Sequence, residues 1–273
     1  VYHYCDSNTA IQYILHEKQI RLSNRRNSID PIENKKPFIS YLQTQNFDDE
    51  VKASVSRIKI RDLTLEKLAN AKQLCLCMND QSKYHNNENP QYRYEYYGFL
   101  KPRMWDQYAD KYQGICLAFS LSALKENASD FKNGEIKYVD YNRFKLRHKS
   151  INVNEVEKMG ANKYWESESK RIENDIFEKH LDYKDENEYR FVSFSNNEFD
   201  YINIEKCLRG IIITGSINEF QLEAVGKFAV DYSVDVLFVH WESTGINLSS
   251  KKEFDELQAA FGKIIHNHSK KKL

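Results

Sequence analysis

The chain predicts an α+β fold in a single domain, and three features of its 273 residues carry that reading. Short apolar runs such as LCLCM, ICLAF, GIIIT and VDVLFV alternate irregularly with helical patterns, unlike the regular succession of a doubly wound sheet. No Gly/Ser/Pro-rich linker separates the runs at the two ends, so residues 1–273 read as one core. Aromatic residues reach 13%, with 18 Tyr and 15 Phe, which predicts tyrosine-rich walls around a cleft or a partner surface.

Residues 1–5 read as a strand. Ala10, Ile11, Ile14 and Leu15 then recur at helical spacing behind Asp6, Ser7 and Asn8, residue types that suit a helix N-terminus. Ile20 to Asn24 returns as a second strand, and the polar NRRNSIDPIENKKPF, with two of the four prolines, reads as a long loop. A charged helix from about Asp49 to Lys72 leads into Leu74–Met78, an apolar run that suits a strand buried on both faces. The polar, aromatic NDQSKYHNNENPQYRYEYYG reads as a lid or an irregular surface loop. MWDQYADKYQG suits a short helix closed by Gly114, with ICLAF and IKYVDY as the next strands. The longest helical pattern runs roughly from Asn152 to Leu181, with Trp165, Ile172, Ile176 and Phe177 on one stripe, and ends near the strand ENEYRFVSF. GIIIT, a helix with Phe220, Val225 and Phe228, the strand VDVLFVHW, and a helix with Phe254, Leu257, Phe261 and Ile264 on one face complete the pattern. No internal repeat is present, and neither G-x-G-x-x-G nor a P-loop follows any strand.

Forty basic residues balance forty acidic ones, so no global field draws the protein to nucleic acid or an anionic membrane. Any such binding is local. Cys5, Cys75, Cys77, Cys116 and Cys207 read as buried thiols of a reducing compartment, and the Cys75/Cys77 pair lacks the second pair of a zinc site. No basic-then-apolar leader appears, and no apolar run approaches the roughly 20 residues that span a bilayer. These features predict a cytoplasmic protein with no metal and no membrane partner.

Functional groups cluster in YHYC, in the Arg21 to Glu33 loop, in PRMWDQYADKYQG and in ENEYR. Strand alternation sends Tyr2 and Tyr4 to one face and His3 to the other, so the tyrosines can anchor the strand while the imidazole faces a cleft. A lone strand histidine is more often structural. Arg25, Arg26, Lys35 and Lys36 suit a solvated loop face more readily than a phosphate site. Trp105 and Tyr108 share a helix face, as a core pair would. Glu188 and Arg190, two apart on a strand, point the same way, which fits a surface ion pair or a catalytic carboxylate with its orienting partner.

Taken in order, Tyr2-His3-Tyr4-Cys5, Asp30-Pro31-Ile32-Glu33, Trp105-Asp106-Gln107-Tyr108-Ala109, Gly114-Ile115-Cys116-Leu117 and Glu186-Asn187-Glu188-Tyr189-Arg190 resemble the bacterial family catalogued as domain of unknown function 2971. That family's pattern runs Y-H-Y-T, N-D-P-F-E, W-x-x-Y-A, G-[IV]-C-L and E-x-E-[YW]-R, and the likeness extends over about residues 1–220. Cys5 stands where the family has Thr, and Ile29 and Ile32 replace Asn and Phe.

The opening strand resembles the His motif that begins many ADP-ribosyltransferase-like folds. That likeness implies a split, mixed sheet flanked by helices that grips NAD as substrate, and either ADP-ribosyl transfer or NAD hydrolysis as the reaction. It implies Glu188, His3 and Tyr108 as catalytic residues: His3 on the adenosine-side ribose, Tyr108 stacked on nicotinamide, Glu188 on the ribose 2′-OH. Tyr4, Arg21, Asp30, Glu33, Trp105 and Arg190 would bind the NAD, with Arg21 or the Arg25–Arg26 pair at the pyrophosphate. The implied partners are NAD and a macromolecular acceptor, protein or nucleic acid, in a bacterial defence or toxin setting. Two other readings stand beside it: a non-catalytic nucleotide- or nucleic-acid-binding module that stacks bases on Tyr84–Tyr97, and a protein-interaction component.

Overall fold

The structure is a computed structural model that describes residues 1–28, 41–42, 50–83, 95–140, 142, 151–243 and 245–250. Asp30, Glu33, the Tyr84–Tyr94 part of the tyrosine-rich segment and the helix expected around Phe254–Ile264 lie outside the described residues.

The strands are β1 (Tyr2–Cys5), β2 (Gln19–Asn24), β3 (Tyr41–Leu42), β4 (Lys72–Cys77), β5 (Ile115–Phe119), β6 (Lys132–Glu135), β7 (Lys137–Val139), β8 (Ile151–Asn152), β9 (Glu178–His180), β10 (Glu188–Ser193), β11 (Asp200–Asn203), β12 (Leu208–Thr214), β13 (Asp235–Glu242) and β14 (Gly245–Ser250). The helices are α1 (Glu50–Ala69), α2 (Pro102–Tyr108), α3 (Leu121–Asn127), α4 (Val153–Met159), α5 (Ala161–Asn174) and α6 (Glu219–Tyr232), with a wide π-type helix over Thr9–Leu15. The fold is mixed α+β, as the irregular alternation of patterns predicts. The chain divides into two compact units, one formed by Val1–Ile20, Leu76–Ala128 and the segment from Ile202 onward, the other by Arg21–Cys75 and Ser129–Tyr201.

In the first unit a mixed sheet is centred on β5, which pairs antiparallel with β1 and with β12; β12 runs parallel to β13, and β13 antiparallel to β14. Pairing of Tyr2 with Ala118 and of Tyr4 with Cys116 puts these four on one face. That face packs Tyr4, Cys116, Ile212 and Val239 against Phe99, Leu100, Met104 and Trp105. Tyr4 meets Trp105 edge-on at 5.3 Å and donates its hydroxyl to the Gly98 carbonyl at 2.7 Å, while the Trp105 indole donates to the Phe99 carbonyl at 2.8 Å. The tyrosines therefore anchor β1, and His3, half-buried, belongs to the opposite face. Ile211, Ile213 and Phe238 are buried on that opposite face, and Ile14 and Leu15 of the π-type helix and Val225 and Ala229 of α6 are buried as well. Each of these Val, Leu, Ile and Phe side chains removed from water contributes about 1.5–3 kcal/mol.

In the second unit β2 pairs antiparallel with β4 through Ser23–Gln73 and Asn24–Lys72, and β10 pairs with β4 and antiparallel with β6. One helical cluster packs Ile60 of α1 against Val156, Tyr164 and Trp165; a smaller one joins Ala71, Ile176 and Val192.

Local chemistry departs from the sequence reading at several points. The long helix expected over about 152–181 is broken at Gly160, whose φ of +86° few L-residues adopt, and its remainder becomes α5, a 3₁₀ turn and β9. Trp165 and Ile176 consequently serve different clusters. Asp6 is the residue that caps the first helix, accepting from the Thr9 backbone N–H at 2.8 Å. Cys75 is exposed although the other cysteines are buried, because its face of β4 is open there; none of the five is disulfide-bonded. Phe220 is 85% exposed at the start of α6, and Val225 carries the burial. Gly114 is not a left-handed helix cap. The turn after α2 instead puts Asp110, Lys111 and Tyr112 at φ of 43°, 50° and 71°, and a Cβ on Gly114 would lie 2.3 Å from the Cys5 carbonyl oxygen. Gly114→Ala is accordingly expected to destabilise the protein by about 1–3 kcal/mol, since backbone rather than a flexible side chain must yield. Denaturant unfolding measures this, and an unchanged midpoint would contradict the close approach.

Candidate functional site

The sequence Glu186-Asn187-Glu188-Tyr189-Arg190 reaches β10 through a left-handed turn at Asn187 (φ 46°), and strand alternation then sets Glu188 and Arg190 side by side. Arg190 grips the Glu188 carboxylate as a fork: Nε donates to Oε1 and Nη2 to Oε2 at 3.0 Å, while Nη1 donates to the Ile176 carbonyl at 2.7 Å. Lys179 of β9 donates to Glu186 Oε2 at 2.7 Å and to Glu188 Oε2 at 3.4 Å, and its ammonium sits 4.4 Å from the centre of the Tyr183 ring. The Glu188 backbone N–H donates to the Tyr138 hydroxyl at 2.9 Å. Burial pushes that phenol well above its ordinary pKa, so it stays protonated.

The surface-ion-pair reading is therefore corrected: Lys179, Glu186, Glu188 and Arg190 are 5%, 3%, 4% and 0% exposed. Removing an ion from water costs several kcal/mol, and here two carboxylates and two cations offset that cost for one another. A carboxylate whose two oxygens are both held by a guanidinium has a fixed orientation, which suits it to stabilising positive charge.

A second buried pair stands beside it in the same unit. Lys72 donates to Asp200 at 2.9 Å, and the Ser195 hydroxyl donates to the same carboxylate at 2.9 and 2.7 Å. Burial would raise the Asp200 carboxyl, but the hydrogen bonds from Ser195, Lys72, Ser193 and Asn197 outweigh it and hold the pKa at about 2. This cluster also fixes which way β10 faces. Ser193 shares Asp200 with Lys72, and Val192 packs with Ala71, so Glu188, Arg190 and Val192 occupy the face of the sheet that carries Ala71, Gln73 and Cys75. On that face Arg21 and Ser23 of β2 are exposed, and Arg21 stacks over Phe199 at 5.0 Å.

Among the residues proposed from sequence, Glu188, Arg190 and Arg21 thus share one face of the second unit. His3, Tyr4, Trp105 and Tyr108 belong to the first unit, where Trp105 is fully buried with its indole N–H spent on Phe99, Tyr4 is a core side chain, and Tyr108 packs half-buried at the edge of that core. Lys179, Gln73 and the Lys72–Asp200 pair were not anticipated. Nothing in EKH or in KQLCLC marks a buried polar residue, whereas Glu186 lies in the motif itself. Among the described residues no group of three or more His, Cys, Asp and Glu side chains is placed to hold a metal ion, and no helix is long and apolar enough to cross a membrane.

Residues 104–191 match the family described as protein of unknown function (DUF2971). This is the family that the motif order resembles, and the matched segment runs from α2 through β10, including the Glu188–Arg190 fork. No curated protein and no solved structure matches the chain.

Two expectations follow from the buried charges. Arg190→Leu alone strands the Glu188 carboxylate and should cost about 3–5 kcal/mol, with much of the loss recovered in the Glu188→Leu/Arg190→Leu double variant. Equal losses in the single and double variants would contradict the pairing. Because the Asp200 pKa is depressed on folding, its contribution is present above about pH 4 and is lost as pH falls toward 2. Asp200→Asn should be less stable at neutral pH and show a shallower acid slope in unfolding measured against pH. An unaltered slope would contradict the assignment.

Proposed function

We propose that the chain is an NAD-consuming enzyme of the ADP-ribosyltransferase-like class, acting by ADP-ribosyl transfer or NAD hydrolysis, with Glu188 as its charge-stabilising carboxylate. The observation that carries this reading is the Glu188–Arg190 fork within the E-x-E-Y-R motif, with Lys179 and Glu186 around it. In the reaction the bond between C1′ of the ribose and the nicotinamide nitrogen breaks, its electron pair leaves with nicotinamide, and positive charge develops at C1′. A fixed anion lowers the energy of that state. The acceptor, water or a macromolecular nucleophile, then bonds to C1′ and loses its proton.

The other proposed residues fit supporting roles. Arg21, exposed on the Glu188 face, suits a phosphate contact. A split sheet, NAD as substrate and a defence or toxin setting belong to this proposal too. A second reading, a nucleotide-binding module without catalysis, is favoured by the low exposure of Glu188, since a buried ion network can serve folding alone.

Incubation with NAD labelled in the adenine, reading free nicotinamide and labelled macromolecule, separates the two. Catalysis predicts nicotinamide release that falls on the order of 100-fold in Glu188→Gln at a temperature where both proteins are folded. Absence of release by the unaltered protein, or an equal rate in the variant, would overturn the catalytic reading.

A further inference from the structure

Gln73 sits on β4 with 7% of its surface exposed, and its side-chain carbonyl Oε1 has no hydrogen-bond partner among the described residues. A buried amide left unpaired is costly, and such groups are rare in folded proteins. Its location is informative. Gln73 lies on the sheet face that carries Glu188 and Arg190, on the strand beside β10, two residues from Ala71, which packs with Val192 of β10. Cys75, two residues along the same face, and Ser23, its cross-strand partner, are both exposed, so the buried amide lies next to the surface of that face.

A primary amide has one acceptor and two donors and is the complement of another primary amide, each carbonyl accepting from the other's NH₂. Resting on the NAD reading above, we infer that Gln73 is a specificity-determining residue that reads the carboxamide of the nicotinamide ring by amide-to-amide pairing. The placement suits the reaction: with the ribose C1′ at Glu188, the leaving ring extends to a neighbouring strand, and its carboxamide is the polar group it carries. A carboxylate in that position offers no donor to Oε1, so the acid form of the dinucleotide would lose one of the two bonds. A site built to hydrogen-bond an N–H discriminates strongly against an analogue without it, because its own buried group is left unpaired.

The test measures binding of NAD and of its nicotinic-acid analogue to the full chain, with thermal unfolding in parallel, for the unaltered protein, Gln73→Leu and Gln73→Met. The inference expects the unaltered protein to prefer NAD by about tenfold or more. It expects both variants to lose that preference while their unfolding temperature is unchanged or higher, since an unpaired buried amide has been removed. A preference retained in the variants, whatever their stability, overturns the inference and leaves the NAD reading intact. Failure of both variants to fold assigns Gln73 to folding and also overturns it. Binding of neither dinucleotide by the unaltered protein overturns this inference and the NAD reading together.

Discussion

The second unit is organised around a constraint that strand geometry imposes: residues two apart on β10 must point the same way, and here they are a carboxylate and a guanidinium. Once Glu188 and Arg190 are buried side by side, neither can ionise alone without a large desolvation cost, and each orients the other. The third donor of Arg190 ties the fork to the Ile176 carbonyl, just before β9 delivers Lys179 to the two glutamates. Changing the charge of one member therefore changes the environment of all four. That coupling is what a site needs if one carboxylate is to remain an anion with a fixed orientation.

Burial on the two faces of this sheet serves different ends. On the face of Lys72 and Asp200 the ion pair is closed off with Ser195 and holds the start of β4 to the turn after β10. On the other face the charges of β10 share a surface with the unpaired Gln73 carbonyl and with exposed Arg21, Ser23 and Cys75. The first face is satisfied polar structure. The second combines fixed charge and an unused acceptor with exposed neighbours, which is why the proposed chemistry is assigned there. In the first unit the polar ends of the anchoring aromatics are taken up locally, Tyr4 by Gly98 and Trp105 by Phe99.

Much of the fold was legible because it follows from short-range rules. ICLAF, GIIIT and VDVLFVHW are apolar enough to declare buried strands, and the alternation in YHYC correctly separates the tyrosines from His3. The errors have physical causes. An uninterrupted helical stripe concealed the break at Gly160, because periodicity registers side-chain spacing and is blind to a positive φ. Gly114 reads as a helix cap by type, yet its requirement is the close approach of the Cys5 backbone, a contact between residues far apart in sequence. Of the site, the Glu188–Arg190 pairing was readable from a two-residue spacing. Its burial, and the arrival of Lys179 from another strand, depend on tertiary packing that no local pattern encodes.

The most direct measurement of the central claim is an experimental structure of the protein crystallised with a non-hydrolysable NAD analogue. The account predicts the nicotinamide ribose against the Glu188 carboxylate, with the Arg190 fork retained and the carboxamide turned toward Gln73. An analogue bound away from the β4–β10 face, with the four charges still closed on one another, would contradict it.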